Sequence, residues 1–214
     1  SMRVSGTAGG RYFHPHAAGV GLSVNPYPWN PRIDMKAGVV RLVAGLGTRA
    51  VDRADDDYTR LIALNAPELR PETNFGAIAR HAQRRMDTLD LTRNEVITGP
   101  FAELVRGQAD FPEALFTTRE GPDRPAFLTF DGLIARTDFV ADLRLMLARL
   151  HDAYAHAVEI EFALNFVPDG GYRINLLQCR PMQVRSVEGV AEVVPPADAT
   201  RLLSARGAVI GPGR

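Results

Sequence analysis

Val158-Glu159-Ile160-Glu161-Phe162, followed by Asp169-Gly170 and then Leu176-Leu177-Gln178-Cys179-Arg180-Pro181, is the stretch on which the reading of the fold turns. Two β-prone runs flank an Asp-Gly pair. Such a pair suits a two-residue hairpin turn, because both central positions need positive φ. With Asp169 and Gly170 as the turn, Glu161 faces Gln178 and Glu159 faces Arg180. Strand side chains alternate, and directly paired residues share a face. Glu159, Glu161, Gln178 and Arg180 therefore fall on one face. Val158, Ile160, Phe162, Leu177 and Cys179 fall on the other, which suits a core. A Gly170-Gly171 turn preserves this division, whereas a bulge breaks it.

The polar face has the makings of a phosphate site. Two carboxylates set two residues apart on one strand repel each other unless a cation lies between them. Mg²⁺ takes oxygen ligands, often one or two carboxylates together with nucleotide phosphates. A guanidinium clamps a phosphoryl oxygen, and an amide hydrogen-bonds one. The plain alternative is a solvated hairpin face with a cross-strand ion pair, which contributes little to stability.

Working outward, residues 18–25 and 38–44 read as strands. Gly45-Leu46-Gly47-Thr48-Arg49 turns the chain into a short helix, either as an anion cradle helped by Arg49 or as a plain capped turn. Residues 58–65 alternate like a strand, and 74–86 carry apolar residues at helical spacing through Met86. Residues 126–130 read as a short strand. A helix capped by Thr137 or Asp138 runs to about Ala155 with the stripe Phe139, Leu143, Met146, Leu147, Leu150 and Tyr154. The strands 157–166 and 172–180 follow, which makes an α+β or α/β core. His14-Pro15-His16 reads as an incidental loop pair, and Asp55-Asp56-Asp57 as a solvated acidic loop. Cys179 reads as a buried structural thiol.

Composition narrows the partners. The 214 residues are 45% hydrophobic, enough for one core with a lobe or insertion. The formal net charge is +0, which argues against broad attraction to nucleic acid or an anionic membrane. No apolar run approaches the roughly 20 residues of a membrane span. The single cysteine excludes an internal disulfide and fits a reducing cytoplasm. Lys36 is the sole lysine.

Glu159-Ile160-Glu161 with Gln178-Cys179-Arg180-Pro181 resembles the signature of the phosphoenolpyruvate synthase / pyruvate phosphate dikinase nucleotide-binding domain, Asp-Ile-Glu on one strand and Gln-x-Arg on the next. Ala18-Gly19-Val20-Gly21-Leu22-Ser23-Val24-Asn25-Pro26 is similar to that family's Ser-Gly-Val-Ala-Phe-Thr-Arg-Asp/Asn-Pro segment, and Gly45-Leu46-Gly47 matches its Gly-Leu-Gly. The resemblance implies an α+β, ATP-grasp-like fold with an antiparallel or mixed sheet and packed helices. It implies ATP and Mg²⁺ as cofactors, Glu159 and Glu161 as metal ligands, and Gln178 and Arg180 as the catalytic, phosphate-contacting pair. It further implies transfer of phosphate from ATP to a histidine on a separate domain, and then to pyruvate or a related acceptor.

On this reading residues 1–185 form the second part of the nucleotide domain, with 66–125 as a helical insertion, and 186–214 form a linker and the start of a following segment. The first half of that domain, and the phosphohistidine and pyruvate-binding domains, belong to a longer parent chain. Glu159 stands where the family usually has Asp, and Arg41 where many members have Glu. These departures keep two alternatives open, a non-catalytic nucleotide-binding or regulatory module and a dikinase with another acceptor.

Overall fold

The computed structural model describes residues 10–51, 57–72, 74–108, 110–119, 121, 126–167 and 170–182. The expectations for Asp55, Asp56, Asp169 and the segment 186–214 lie outside the described residues.

In chain order, β1 is Tyr12–Phe13, β2 Ala17–Leu22, β3 Val39–Ala44, α1 Thr48–Val51 and β4 Arg60–Ala63. Next come α2 at Phe75–His81, β5 at Arg85–Asp90, β6 at Glu95–Pro100, α3 at Phe101–Leu104 and α4 at Glu113–Phe116. The chain continues with β7 at Thr117–Thr118, β8 at Phe127–Leu128, α5 at Asp131–Arg136, α6 at Phe139–Tyr154, β9 at Val158–Phe166 and β10 at Tyr172–Pro181. The architecture is α+β. Five antiparallel strands stand in the order β10-β9-β2-β3-β4, and a smaller antiparallel sheet has the order β1-β5-β6.

The main sheet separates two apolar layers by alternation. Ala17, Val40, Leu42, Ile62, Ile160, Phe162 and Leu164 enter the larger core, where the α6 residues Phe139, Leu143 and Leu147 meet them. Helix α6 starts where Thr137 Oγ1 accepts the Phe139 N–H at 3.3 Å, so Thr137 rather than Asp138 supplies the side-chain cap. It stops at Ala155, whose φ of 50° is left-handed, with His156 N–H donating back to His151 O at 3.3 Å. Tyr154, expected in the buried stripe, is 47% exposed.

The stretch 66–125 differs from its helical reading. It contributes the hairpin of β5 and β6 as well as short helices. Helix α2 ends at His81, and Met86, expected on its apolar face, is a fully buried strand residue. The Gln83 side chain explains the break. Its Oε1 accepts from Ala44 N–H at 2.8 Å and its Nε2 donates to Ala44 O at 3.1 Å, so it pairs with the end of β3 from an extended backbone.

Two glycines are set by close approach. In β2, a Cβ on Gly19 would lie 2.8 Å from Phe162 Cζ. Gly45, at φ +82°, ends β3, and a Cβ there would run into Met86 Cγ and lie 2.6 Å from Asp87 O. Gly45→Ala combines backbone strain with that clash, so it should lower unfolding free energy by at least about 2 kcal/mol in urea titrations. Unchanged stability would show that β5 yields easily.

Candidate functional site

Strand β9 lies between β2 and β10, and this position aims its acidic residues. Glu161 is paired with Val20 on one side and Gln178 on the other; Glu159 is paired with Leu22 and Arg180. Because Ile160 and Phe162 are buried toward α6, Glu159 and Glu161 project from the opposite face. Their Cα atoms are two strand residues, or about 7 Å, apart. Arg180 donates to Glu159 Oε1 at 3.0 Å across an exposed pair, which holds the guanidinium above its ordinary pKa. Glu161 has no hydrogen bond or ion pair among the described residues.

The register arises by a route the sequence did not reveal. Near the hairpin tip Phe166 pairs with Tyr172 and Phe162 with Leu176, so five residues of sequence, not two, separate the last paired positions. Gly170 has the anticipated positive φ, 89°. The ladder then shifts between Leu176 and Gln178, so Leu177 is an extra residue. That bulge brings Gln178 opposite Glu161 and Arg180 opposite Glu159, as the turn argument expected. It also corrects one assignment, since Leu177, placed on the core face, is 40% exposed. Cys179 remains on the core side, partly buried against it.

On the same sheet face, β2 and β3 carry an apolar cluster of Val20, Leu22, Val39 and Val43, with Ala50, Trp29 and Met182 packed on it. Trp29, the single tryptophan, has a buried indole N–H with no acceptor among the described residues. Arg41 joins this face in the row Leu61, Arg41, Val20, Glu161 and Gln178, two strand spacings (about 10 Å) from Glu161. Sequence reasoning noted Arg41 as a departure but had no means of putting it in line with Glu161.

Two other candidates resolve into structural roles. Arg49 does not face a ligand. It donates to Asp57 at 2.7 Å and to Asp87 at 3.2 Å, while Thr48 and Thr98 hydroxyls donate to Asp87 at 2.5 and 2.7 Å. These bonds pull the Asp87 carboxyl below its ordinary pKa against the opposing effect of burial. Asp57, read as a solvated loop residue, is buried and also accepts the Arg84 and Arg85 backbone N–H groups. His14 and His16 are buried rather than loose, and desolvation lowers both pKa values. His14 bonds Pro15 O and Gln108, while His16 bonds Asp110 O and accepts the Phe166 N–H.

No three His, Cys, Asp or Glu side chains among the described residues form a ready-made metal cluster. Glu159 and Glu161 are a two-carboxylate set, the number that suits Mg²⁺ when phosphate and water complete its shell. No helix among the described residues is long and apolar enough to cross a membrane.

One face of the antiparallel sheet thus carries two carboxylates and two guanidinium groups beside an apolar patch. Residues 4–199 match the family described as the pyruvate phosphate dikinase AMP/ATP-binding domain, and the chain belongs to that family. No curated protein matches the chain.

The two arginines should separate in stability measurements. Arg49→Ala removes the guanidinium shared by Asp57 and Asp87 and should cost about 3 kcal/mol. Arg180→Ala, at an exposed pair, should leave the urea midpoint unchanged. Equal losses would contradict this division of roles.

Proposed function

We propose that the Glu159, Glu161, Gln178 and Arg180 face holds the phosphates of Mg·ATP in a phosphoenolpyruvate synthase / pyruvate phosphate dikinase-like phosphotransferase. The supporting observation is the β9–β10 register, which puts two carboxylates, an amide and a guanidinium on one face of a chain from an AMP/ATP-binding family. Glu159 and Glu161 would be the metal ligands, and bound Mg²⁺ would offset the charge of the phosphate oxygens. Arg180 would contact one phosphate oxygen through its guanidinium, and Gln178 would donate its amide N–H to another. Arg41 adds a second guanidinium to the same face.

The finer reading makes residues 1–185 the second part of an ATP-grasp domain. Its first half, a phosphohistidine domain and a pyruvate-binding domain belong to the parent, which works in the cytoplasm. In that parent, the β-phosphoryl group of ATP would end on the histidine and the γ-phosphoryl group on water or inorganic phosphate, leaving AMP. A second reading is a non-catalytic nucleotide-binding module, favoured by the Arg180–Glu159 pair, in which each charge satisfies the other without a ligand.

Trp29 packs on the cluster that includes Leu22, the direct neighbour of Glu159, so its fluorescence should report binding. Titration with Mg·ATP should give a saturable change, and Glu161→Gln should weaken affinity about tenfold or more. Affinity unchanged by that substitution would remove Glu161 from the site. The chain by itself, incubated with Mg·ATP, should form no AMP. Detectable AMP would show that it already contains a complete catalytic domain.

A further inference from the structure

On the α6 side of the main sheet, away from Glu159 and Glu161, a cavity of about 710 Å³ opens between residues 23–37 and α6. Ligand pockets span roughly 300–1,000 Å³, so the volume suits a small organic molecule. Its apolar wall is Val24, Ala37, Leu147 and Ala148. Leu147 is also part of the buried core, so this wall stands on a fixed element.

Two cations from separate parts of the chain reach the same cavity, Lys36 from the turn after β2 and Arg144 from α6. Among the described residues neither side chain is ion-paired. Asp34 and Asp152 bring two carboxylates to the same lining, and Asp34 also accepts the Lys36 backbone N–H at 2.9 Å. His151 completes the wall, oriented by a 3.1 Å hydrogen bond between its Nδ1 and Ser23 Oγ. Ser23 Oγ also accepts the Val158 N–H at 2.9 Å, so the imidazole is tied to the first residue of β9.

Among the described residues Lys36 and Arg144 form no ion pair with the carboxylates of this lining, so both remain open to a ligand with an apolar body and one anionic end. We propose that this cavity is a second binding site, separate from the nucleotide face, for a small organic anion whose phosphate or carboxylate meets Lys36 and Arg144 and whose apolar part lies on Leu147 and Ala148. The Ser23–Val158 hydrogen bond gives such a ligand a direct connection to the strand that carries Glu159 and Glu161.

The test is calorimetric titration of the full chain with phenyl phosphate, benzoate and phenol. Phenyl phosphate or benzoate should bind saturably and at least about tenfold more tightly than phenol, because charged hydrogen-bond partners contribute more than neutral ones. The tighter of the two identifies phosphate or carboxylate as the anionic end. Lys36→Ala with Arg144→Ala, both at exposed side chains, should abolish that preference, and Arg180→Ala should leave it intact. Three outcomes would overturn the proposal: no saturable binding, equal binding of phenol, or loss of binding in Arg180→Ala but not in the double variant. Circular-dichroism melts of each variant exclude misfolding as the cause of a loss.

Discussion

The carboxylates of β9 point where they do because Ile160 and Phe162 point the other way. A strand has only two faces, and burial of Ile160, Phe162 and Leu164 against α6 commits one of them. A one-residue slip of β9 would put Glu159 and Glu161 into the core and the apolar residues into water, so this register is strongly specified. The same alternation in β2 and β3 supplies the apolar patch under Trp29 and brings Arg41 into line with Glu161. The proposed phosphate face is thus a by-product of the core on its reverse side.

The edge strand β10 needs a correction to join that register. Its first half pairs with β9 in one register from Tyr172 to Leu176, and the Leu177 bulge then displaces it by one residue. Bulges commonly re-aim side chains beside functional sites, and here the shift places Gln178 and Arg180 opposite the two glutamates. Leu176 and Leu177 are half exposed on the free edge of the sheet, so local apolar burial does not dictate the bulge. The ladder formed with β9 does.

The smaller sheet acts as a buttress. Gly45 lets the end of β3 run close to β5, and Leu46 N–H donates to Asp87 O at 3.0 Å. Arg49 then ties α1 to Asp57 and Asp87. Arg11, ion-paired with buried Asp90 at 2.5 Å, ties the segment leading into β1 to the end of β5 and holds the Asp90 carboxyl at a pKa of about 2. Arg49, which the sequence left open as the helper of an anion cradle, is here engaged in holding the second sheet.

Local periodicity was enough to determine β2, β3, α6 and the β9–β10 hairpin, together with the shared face of Glu159, Glu161, Gln178 and Arg180. Each of these elements buries one continuous stripe, and a stripe has a period that can be read along the chain. The β5–β6 hairpin, the end of α2 before Met86 and the burial of Asp57, His14 and His16 were decided only by tertiary structure. There the partner is remote in sequence: Ala44 for Gln83, Arg84 for Asp57, Gln108 for His14. The Leu177 bulge, the row joining Arg41 to Glu161 and the cavity beside α6 belong with these. Each depends on how separate segments are set against one another, and no spacing along one segment records that.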